Sequence, residues 1–493
     1  MKTISIGLAS VPLSTYTLHP TLHSVFGEFF GDVIYDGTWV GKDSPIPNVD
    51  GIRLDLIEGL KEAGVAAIRW PGGCCADHYH WMDGVGRERR RRMPFSEVNN
   101  FDMSFGTDEF LHLCRLVGAE PVLTANTATG TPEEFAAWVE YCNGDADTKY
   151  GALRAANGHP ESYRVKYWGI GNTDENVWWI AYADPLNYAR DFRRFKTAVM
   201  GSWNELSFIG LGLSLRHETP DWVEPCLDYI TGGGRARGAD FLSVHHYIGG
   251  MKARYRACGD AVDYDEAAYR FTLDALSAYQ ADIDYHRKAI AEHTSPRFPV
   301  RISFDEWGLW HPEATNANRV RQRQTMRDAI FAACALHLFY RNSDVVTFAM
   351  ETQYVNLLQS LFETRGAQFV RTPTFYVFKL FREHLGRRLL PVSLPDGEKD
   401  LDCVASRDDR GTVLTLVNRS LSEPLTVVLP ADLPLCGASL DCIAPPDVHC
   451  QNAFDAPEEI FDRPAALCGR TIALPPHSIA RLVCPASSAV DPA

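Results

Sequence analysis

Eight short apolar runs recur between residues 25 and 351: Val25–Phe30, Ala66–Pro71, Glu120–Ala125, Lys166–Asn172, Leu206–Gly212, Phe241–Tyr247, Val300–Glu306 and Val345–Glu351. Each has strand length, and between them lie amphipathic segments such as "IRLDLIEGLKEAG", "TDEFLHLCRLVGAE", "TPEEFAAWVEYC", "DPLNYARDFRRFKTAVM" and "RVRQRQTMRDAIFAACALHLFYRN". Their apolar residues return at spacings of three and four, the period of a helix with one buried face. Thr131-Pro132-Glu133-Glu134 reads as a helix start, with a hydroxyl cap and proline at the first helical position. Eight strands, each followed by a helix or a long excursion, predict a (β/α)8 TIM barrel rather than an open doubly wound sheet. No Gly-x-Gly-x-x-Gly follows the first strand, and "GGGRARG" precedes a strand without opening a helix, so it reads as a loop rather than a nucleotide cradle.

Beyond "TPTFYVFKLFREHLG" the pattern changes. From Arg388 onward the runs "DCVASRD", "TVLTLVNRS", "LTVVLP", "TIALPP" and "IARLVCP" alternate in short strands broken by Pro, Gly and Asp, which predicts an all-β sandwich, jelly-roll-like. The N-terminal "TISIGLAS" alternates in the same way and is expected to join it. The expected division is residues 1–20 with the sandwich, 21–387 as the barrel and 388–493 as the sandwich itself.

The formal charge of −15 argues against nucleic acid or an anionic membrane as the main partner, because both need concentrated positive charge. The run Arg87-Glu88-Arg89-Arg90-Arg91-Arg92 is the exception, and reads as a solvated loop or a subunit contact. Thirteen cysteines, an odd number without paired C-x-x-C spacing, point to reduced thiols rather than zinc or a disulfide framework. The apolar character of "MKTISIGLASVPLSTYTLHP" is broken too early for a secretory leader, and no apolar stretch approaches the roughly 18 residues of a membrane span. A cytoplasmic location is expected.

In a TIM barrel the chemistry lies where strands end at the C-terminal face. Those ends read Glu28, "RWPGGCCADHYHW", Asn126, "GNTDE", "VHHY", "FDEW" and "METQ". Within "RISFDEWGLWH", Glu306 closes an apolar strand and is flanked by Trp307 and Trp310, which are expected to wall its carboxylate with surfaces for a sugar ring. Retaining glycosidases place two carboxyl groups about 5–5.5 Å apart, one a nucleophile and one a proton donor. Strands four and seven face each other across the mouth, so the pair is expected from Glu306 and from the residue after Asn172.

These pieces together, with "FGEFFGDVIYDGTWVG", "IRWPGGCCADHYHWMDGVG", "SFGTDEFLHLCRLVGAEPVLTANTATGTPEEFAAWVEY", "KYWGIGN", "LSVHHY", "ISFDEW", "QYVNLLQSLFET" and "TPTFYVFKLFREH", make a chain that resembles glycoside hydrolase family 51, the α-L-arabinofuranosidases, along nearly its whole length. The resemblance implies a barrel plus β-sandwich, double displacement with retention, no metal or organic cofactor, and a homo-oligomer, trimer or hexamer. It places Glu306 on the family's nucleophile. Glu28, Asn172, Tyr247 and Gln353 fall on positions that hold the furanose ring, and Cys74 on one that is Asn or Cys in the family. The substrate it implies is a terminal α-L-arabinofuranosyl unit on an oligosaccharide; a related furanoside such as a galactofuranoside is the alternative.

Thr173 departs from the pattern, because the family has its acid/base Glu after "WGIGN". Three readings follow from "KYWGIGNTDENVWW". Thr173 leaves the chain without a general acid, an assistance worth about 10²–10⁴ in rate. Alternatively a two-residue shift brings Glu175 into that place, although two extended residues span roughly 6.6 Å and demand a curled backbone. In the third, the protein is a non-catalytic carbohydrate-binding module. Asp174 reads as a turn or cap residue, and Trp178 and Trp179 are candidates for the wall of a sugar subsite.

Overall fold

The computed structural model describes residues 2–486 apart from 10–16, 93, 95, 174–182, 202–204 and 213–220. Among the described residues eight parallel strands close into a barrel: β1 (Ser24–Phe26), β2 (Ala67–Trp70), β3 (Glu120–Ala125), β4 (Tyr167–Ile170), β5 (Ser207–Leu211), β6 (Phe241–Ile248), β7 (Arg301–Leu309) and β8 (Val346–Glu351). Each pairs with its neighbours in chain order, and β8 returns to β1. Every one of the eight apolar runs overlaps a barrel strand. Their inward residues Ala67, Val122, Tyr167, Ile209, Phe348 and Met350 fill the interior, while the outward residues join a larger core beneath the helices. Short strands that are buried on both faces are near-continuously apolar for this reason.

The strand ends differ from expectation where function lies. β4 stops at Ile170, because Gly171 turns the chain to φ +82°, a left-handed conformation that favours glycine. β7 instead runs three residues past Glu306, to Leu309. Along the β7–β8 pairing, Phe304 is opposite Ala349 but Trp307 is opposite Glu351, so β7 carries one extra residue there. The β6–β7 register shifts at the same place, between Ser243 and His245. This is a β-bulge, and it breaks the alternation of faces.

The C-terminal strands form two sheets. One orders Arg388–Leu390, Leu401–Asp408, Gly411–Asn418, Ser478–Pro485, Ser439–Ile443 and Arg463–Pro464; the other orders Lys2–Ser5, Leu425–Val428 and Thr471–Leu474. Lys2–Ser5 pairs in parallel with Leu425–Val428, and Gly7–Leu8 pairs with Val392–Ser393. Between the sheets lies a second core that includes Ile4, Leu414, Val427, Ile472 and Leu482. The arginine run is partly structural: Arg89 binds Glu109 and the Met103 carbonyl, and Arg92 pairs with Asp83, while Arg87, Arg90 and Arg91 are exposed. All thirteen cysteines are free thiols. No helix among the described residues is long and apolar enough to cross a membrane.

Candidate active site

The bulge decides which side chains of "FDEW" reach the mouth of the barrel. Phe304 packs outward on Tyr279 and Phe339, and Asp305 turns inward to Ser243 at 2.7 Å. Strict alternation would send Glu306 back out, but the extra residue keeps it inward, so two consecutive carboxylates face the mouth. Glu306 Oε1 accepts a hydrogen bond from Arg69 Nη1 at 3.0 Å, and the Tyr247 hydroxyl lies 3.1 Å from Oε2.

The same shift turns Trp307 outward. Its ring is fully buried against Phe339 and Phe378, so it is a core residue and not the sugar wall expected of it. Trp310 does stay near the mouth, half-buried and edge-on to Tyr247 at 5.5 Å between ring centroids. Glu351, the last residue of β8, lies opposite Trp307 on the outer side, where burial raises its carboxyl well above the usual range.

Arg69 is the hub. It projects from β2 and bonds Glu306, Asn172 Oδ1 at 2.5 Å and Thr124 Oγ1 at 3.3 Å, thereby tying β2, β3, β4 and β7 together. Burial opposes its charge, but Asp305, Glu306 and Glu28 raise its pKa above the ordinary value. His245, from β6, lies 3.1 Å from Asp305 and 3.5 Å from Glu306. Burial lowers its pKa, yet the two carboxylates outweigh that and raise it overall. Asp305 is held below the carboxylate range despite burial, because Arg69 and His245 face it.

Glu28 lies beyond the end of β1, with Oε2 accepting the Cys75 N–H at 3.1 Å and Oε1 accepting Gln353 Nε2 at 2.8 Å. The turn after β2 packs directly on it: a methyl group on Gly73 would be 3.1 Å from Glu28 Oε2 and 3.2 Å from Glu306 Oε1, so the two carboxyl groups flank the same glycine. Cys74 is half-buried beside both, and burial with those carboxylates keeps its thiol far from ionising. Cys75 is fully buried, with Asn99 Nδ2 3.3 Å from its sulfur.

Asn172 is buried and its Nδ2 donates to Thr173 Oγ1 at 3.2 Å; Thr173 is half-buried. Thus Glu306, Glu28, Cys74, Asn172, Thr173, Tyr247 and Gln353 gather around one mouth. Glu175 and Trp178, with Asp174 and Trp179, lie outside the described residues. Asn126, also at a strand end, instead binds its own loop at Thr129 and Gly130. Arg69, His245 and Asp305 lie in the strand-end motifs "RWPGG", "VHHY" and "FDEW", but sequence patterning gives them no role. An arginine inside an apolar barrel strand was the available signal, since a buried guanidinium requires anionic partners.

Two family models match the chain, the alpha-L-arabinofuranosidase 1 domain over residues 59–248 and the alpha-L-arabinofuranosidase C-terminal domain over 305–478. An intracellular exo-alpha-L-arabinofuranosidase of Bacteroides ovatus is 34% identical over 407 residues, covering 79% of this chain and 76% of the relative. Alpha-L-arabinofuranosidase C of Emericella nidulans is 31% identical over 383 residues, covering 75% and 72%. Among solved structures, the GH51 arabinofuranosidase from Xanthomonas axonopodis pv. citri superposes with a TM-score of 0.87 at 29% identity, covering 98% of this chain and 99% of that one. The arabinose complex of the Thermotoga maritima alpha-L-arabinofuranosidase gives 0.83 at 25% identity, covering 98% and 99%. With both its halves matched and its barrel and strand-rich domain shared, this chain belongs to the α-L-arabinofuranosidases of glycoside hydrolase family 51.

Proposed function

We propose that the protein hydrolyses terminal α-L-arabinofuranosyl residues of oligosaccharides by double displacement with retention, Glu306 being the nucleophile. The observation that carries this is the bulge in β7, which aims Glu306 into the mouth with Arg69 and Tyr247 on its two oxygens. Glu28, Cys74, Asn172, Tyr247 and Gln353 then hold the furanose, and their hydrogen bonds strengthen as positive charge develops on the ring. Residues 21–387 form the catalytic unit and 388–493, with the first 20, the sandwich. The relatives' names support the arabinofuranosyl substrate, the one called intracellular suits a cytoplasmic site of action, and a homo-oligomer, trimer or hexamer, is the assembly proposed.

Thr173 occupies the place of the proton donor in this reading, and its hydroxyl does not ionise near neutrality. Turnover then depends on the leaving group. An activated aryl arabinofuranoside, which needs little protonation, releases its aryl group, whereas natural linkages are cleaved about 10²–10⁴ more slowly than with a general acid. A second reading takes Glu175 as the acid: Gly171 ends the extended strand before Thr173, and a backbone that stays curled beyond it would bring Glu175 to that place. Efficient cleavage of unactivated arabinosides that collapses in Glu175→Gln supports this second reading. A large gain in Thr173→Glu supports the first. Binding of arabinofuranosides without any aryl release would replace both with a sugar-binding module, and a preference for galactofuranosides would move the substrate.

A further inference from the structure

Three carboxyl groups, one guanidinium and one imidazole converge at the mouth, and with both cations charged they balance only if one carboxyl keeps its proton. Arg69 and His245 are the cations, and Asp305 and Glu306 are the anions that face them. Glu28 is the fifth group, and the hydrogen bonds to it come from neutral donors, the Cys75 N–H and Gln353 Nε2. The Arg69 guanidinium directs its hydrogen bonds to Glu306, Asn172 and Thr124.

Burial and a like charge hold the proton on Glu28 against the donors and the cation that favour its loss. From β7 comes the like charge of Glu306, across Gly73. From the turn after β2 come the thiols of Cys74 and Cys75, both raised well above their usual range and therefore neutral. From β6 comes the Tyr247 phenol, likewise raised and neutral. After β8 comes Gln353, whose Oε1 is buried without a hydrogen-bond partner among the described residues. Against these, the hydrogen bonds from Cys75 and, more weakly, the Arg69 charge favour ionisation of Glu28. Burial first, and Glu306 second, push the Glu28 carboxyl up to about 7. Two carboxyl groups in one desolvated site hold a proton between them for this reason.

We infer that Glu28 meets the substrate as a neutral carboxylic acid and donates a hydrogen bond to an oxygen of the sugar, while Glu306 alone carries the negative charge that attacks. The proton stays on Glu28 throughout, so no transfer has to be balanced. The inference rests on the reading of Glu306 as nucleophile. Its consequence is a pocket that loses a donor and gains a third carboxylate, one with no cation bonded to it, as pH rises, so substrate capture falls on the alkaline side. The proton resides on Glu28, the carboxyl that accepts no hydrogen bond from a cation.

The test compares wild type with Glu28→Gln, whose amide copies the shape and donor of the protonated acid but cannot ionise. With 4-nitrophenyl α-L-arabinofuranoside, wild-type kcat/KM is expected to fall about tenfold per pH unit above the titration. Glu28→Gln, several-fold slower at about pH 6, is expected to show no further fall up to about pH 9. The infrared carbonyl band of a protonated carboxyl, titrating near neutrality in the free protein, is expected in the wild-type-minus-variant difference spectrum, which removes Glu363, also raised to about 7 by burial. An unchanged alkaline limb in Glu28→Gln, or a difference spectrum without that band, overturns the inference. Wild type that releases no nitrophenol at any pH sinks the reading of Glu306 instead, and the infrared comparison then still decides the state of Glu28.

Discussion

At the scale of single residues, the mouth is organised by charge pairing. Glu306→Ala removes the attacking group, and turnover of an aryl arabinofuranoside is expected to drop at least about 10³-fold, read by steady-state kinetics on protein whose circular dichroism is unchanged. Arg69→Met should act differently. It strands Glu306, Asp305 and the Asn172 amide in a desolvated site, so it is expected to cost about 3–5 kcal/mol of stability in denaturant unfolding as well as activity. Arg69→Lys keeps the charge without the fork that reaches both Glu306 and Asn172, and is expected to recover only part of either. Much of this constellation was legible beforehand. The strand-end pattern marks Glu28, Asn172 and Glu306, where a barrel gathers its chemistry, and the family resemblance gives Glu28, Asn172, Tyr247 and Gln353 their place around the sugar. The roles of Arg69, His245 and Asp305 were not legible, although all three lie in strand-end motifs, because only barrel closure shows that they and Glu306 face one another.

At the scale of elements, the turn after β2 and the bulge in β7 position the site. Gly72 has φ +119°, and a methyl group there would be 2.1 Å from Glu28 Cβ. Gly72→Ala therefore strains the backbone and displaces Glu28, and is expected to raise KM for the aryl arabinofuranoside about tenfold or more while the protein stays folded. Glycines in "RWPGGCC" thus allow the close approach of a turn to a carboxylate, not simple flexibility. The bulge explains why Trp307 was misjudged from sequence. Period-two alternation puts Asp305 and Trp307 on one face and Glu306 on the other; one extra residue places Asp305 and Glu306 together and sends Trp307 into the core. A bulge arises from pairing with neighbouring strands, so a local pattern cannot contain it.

At the scale of the whole molecule, the barrel and sandwich are joined by buried imidazoles. Thr415 Oγ1, on a sandwich strand, lies 2.7 Å from His337 Nε2 and 2.8 Å from His384 Nε2, and His337 Nδ1 pairs with Asp402 at 3.1 Å. His23 stacks nearby on Tyr340. Burial lowers His23 to about 3, lowers His337, and with repulsion from the neighbouring cations and imidazoles drives His384 well below its ordinary value. For each of these bases the folded pKa is below the unfolded one, so the unfolded chain binds more protons as pH falls. Their stabilisation is complete above the unfolded value of about 6.5 and is lost progressively below it. Calorimetry is expected to show Tm falling from about pH 7 to about pH 5, with a shallower slope in His384→Gln.

The eightfold strand–helix rhythm, the switch to short alternating strands after Arg388, and the polar residues at strand ends were all local properties of the chain, and they sufficed for the barrel, the strand-rich domain and the family. What awaited the folded molecule was which way adjacent side chains point and which charges share a site. Those depend on register between strands far apart in sequence and on the loss of water around Glu28, Arg69 and Glu306, and neither is encoded in any single segment.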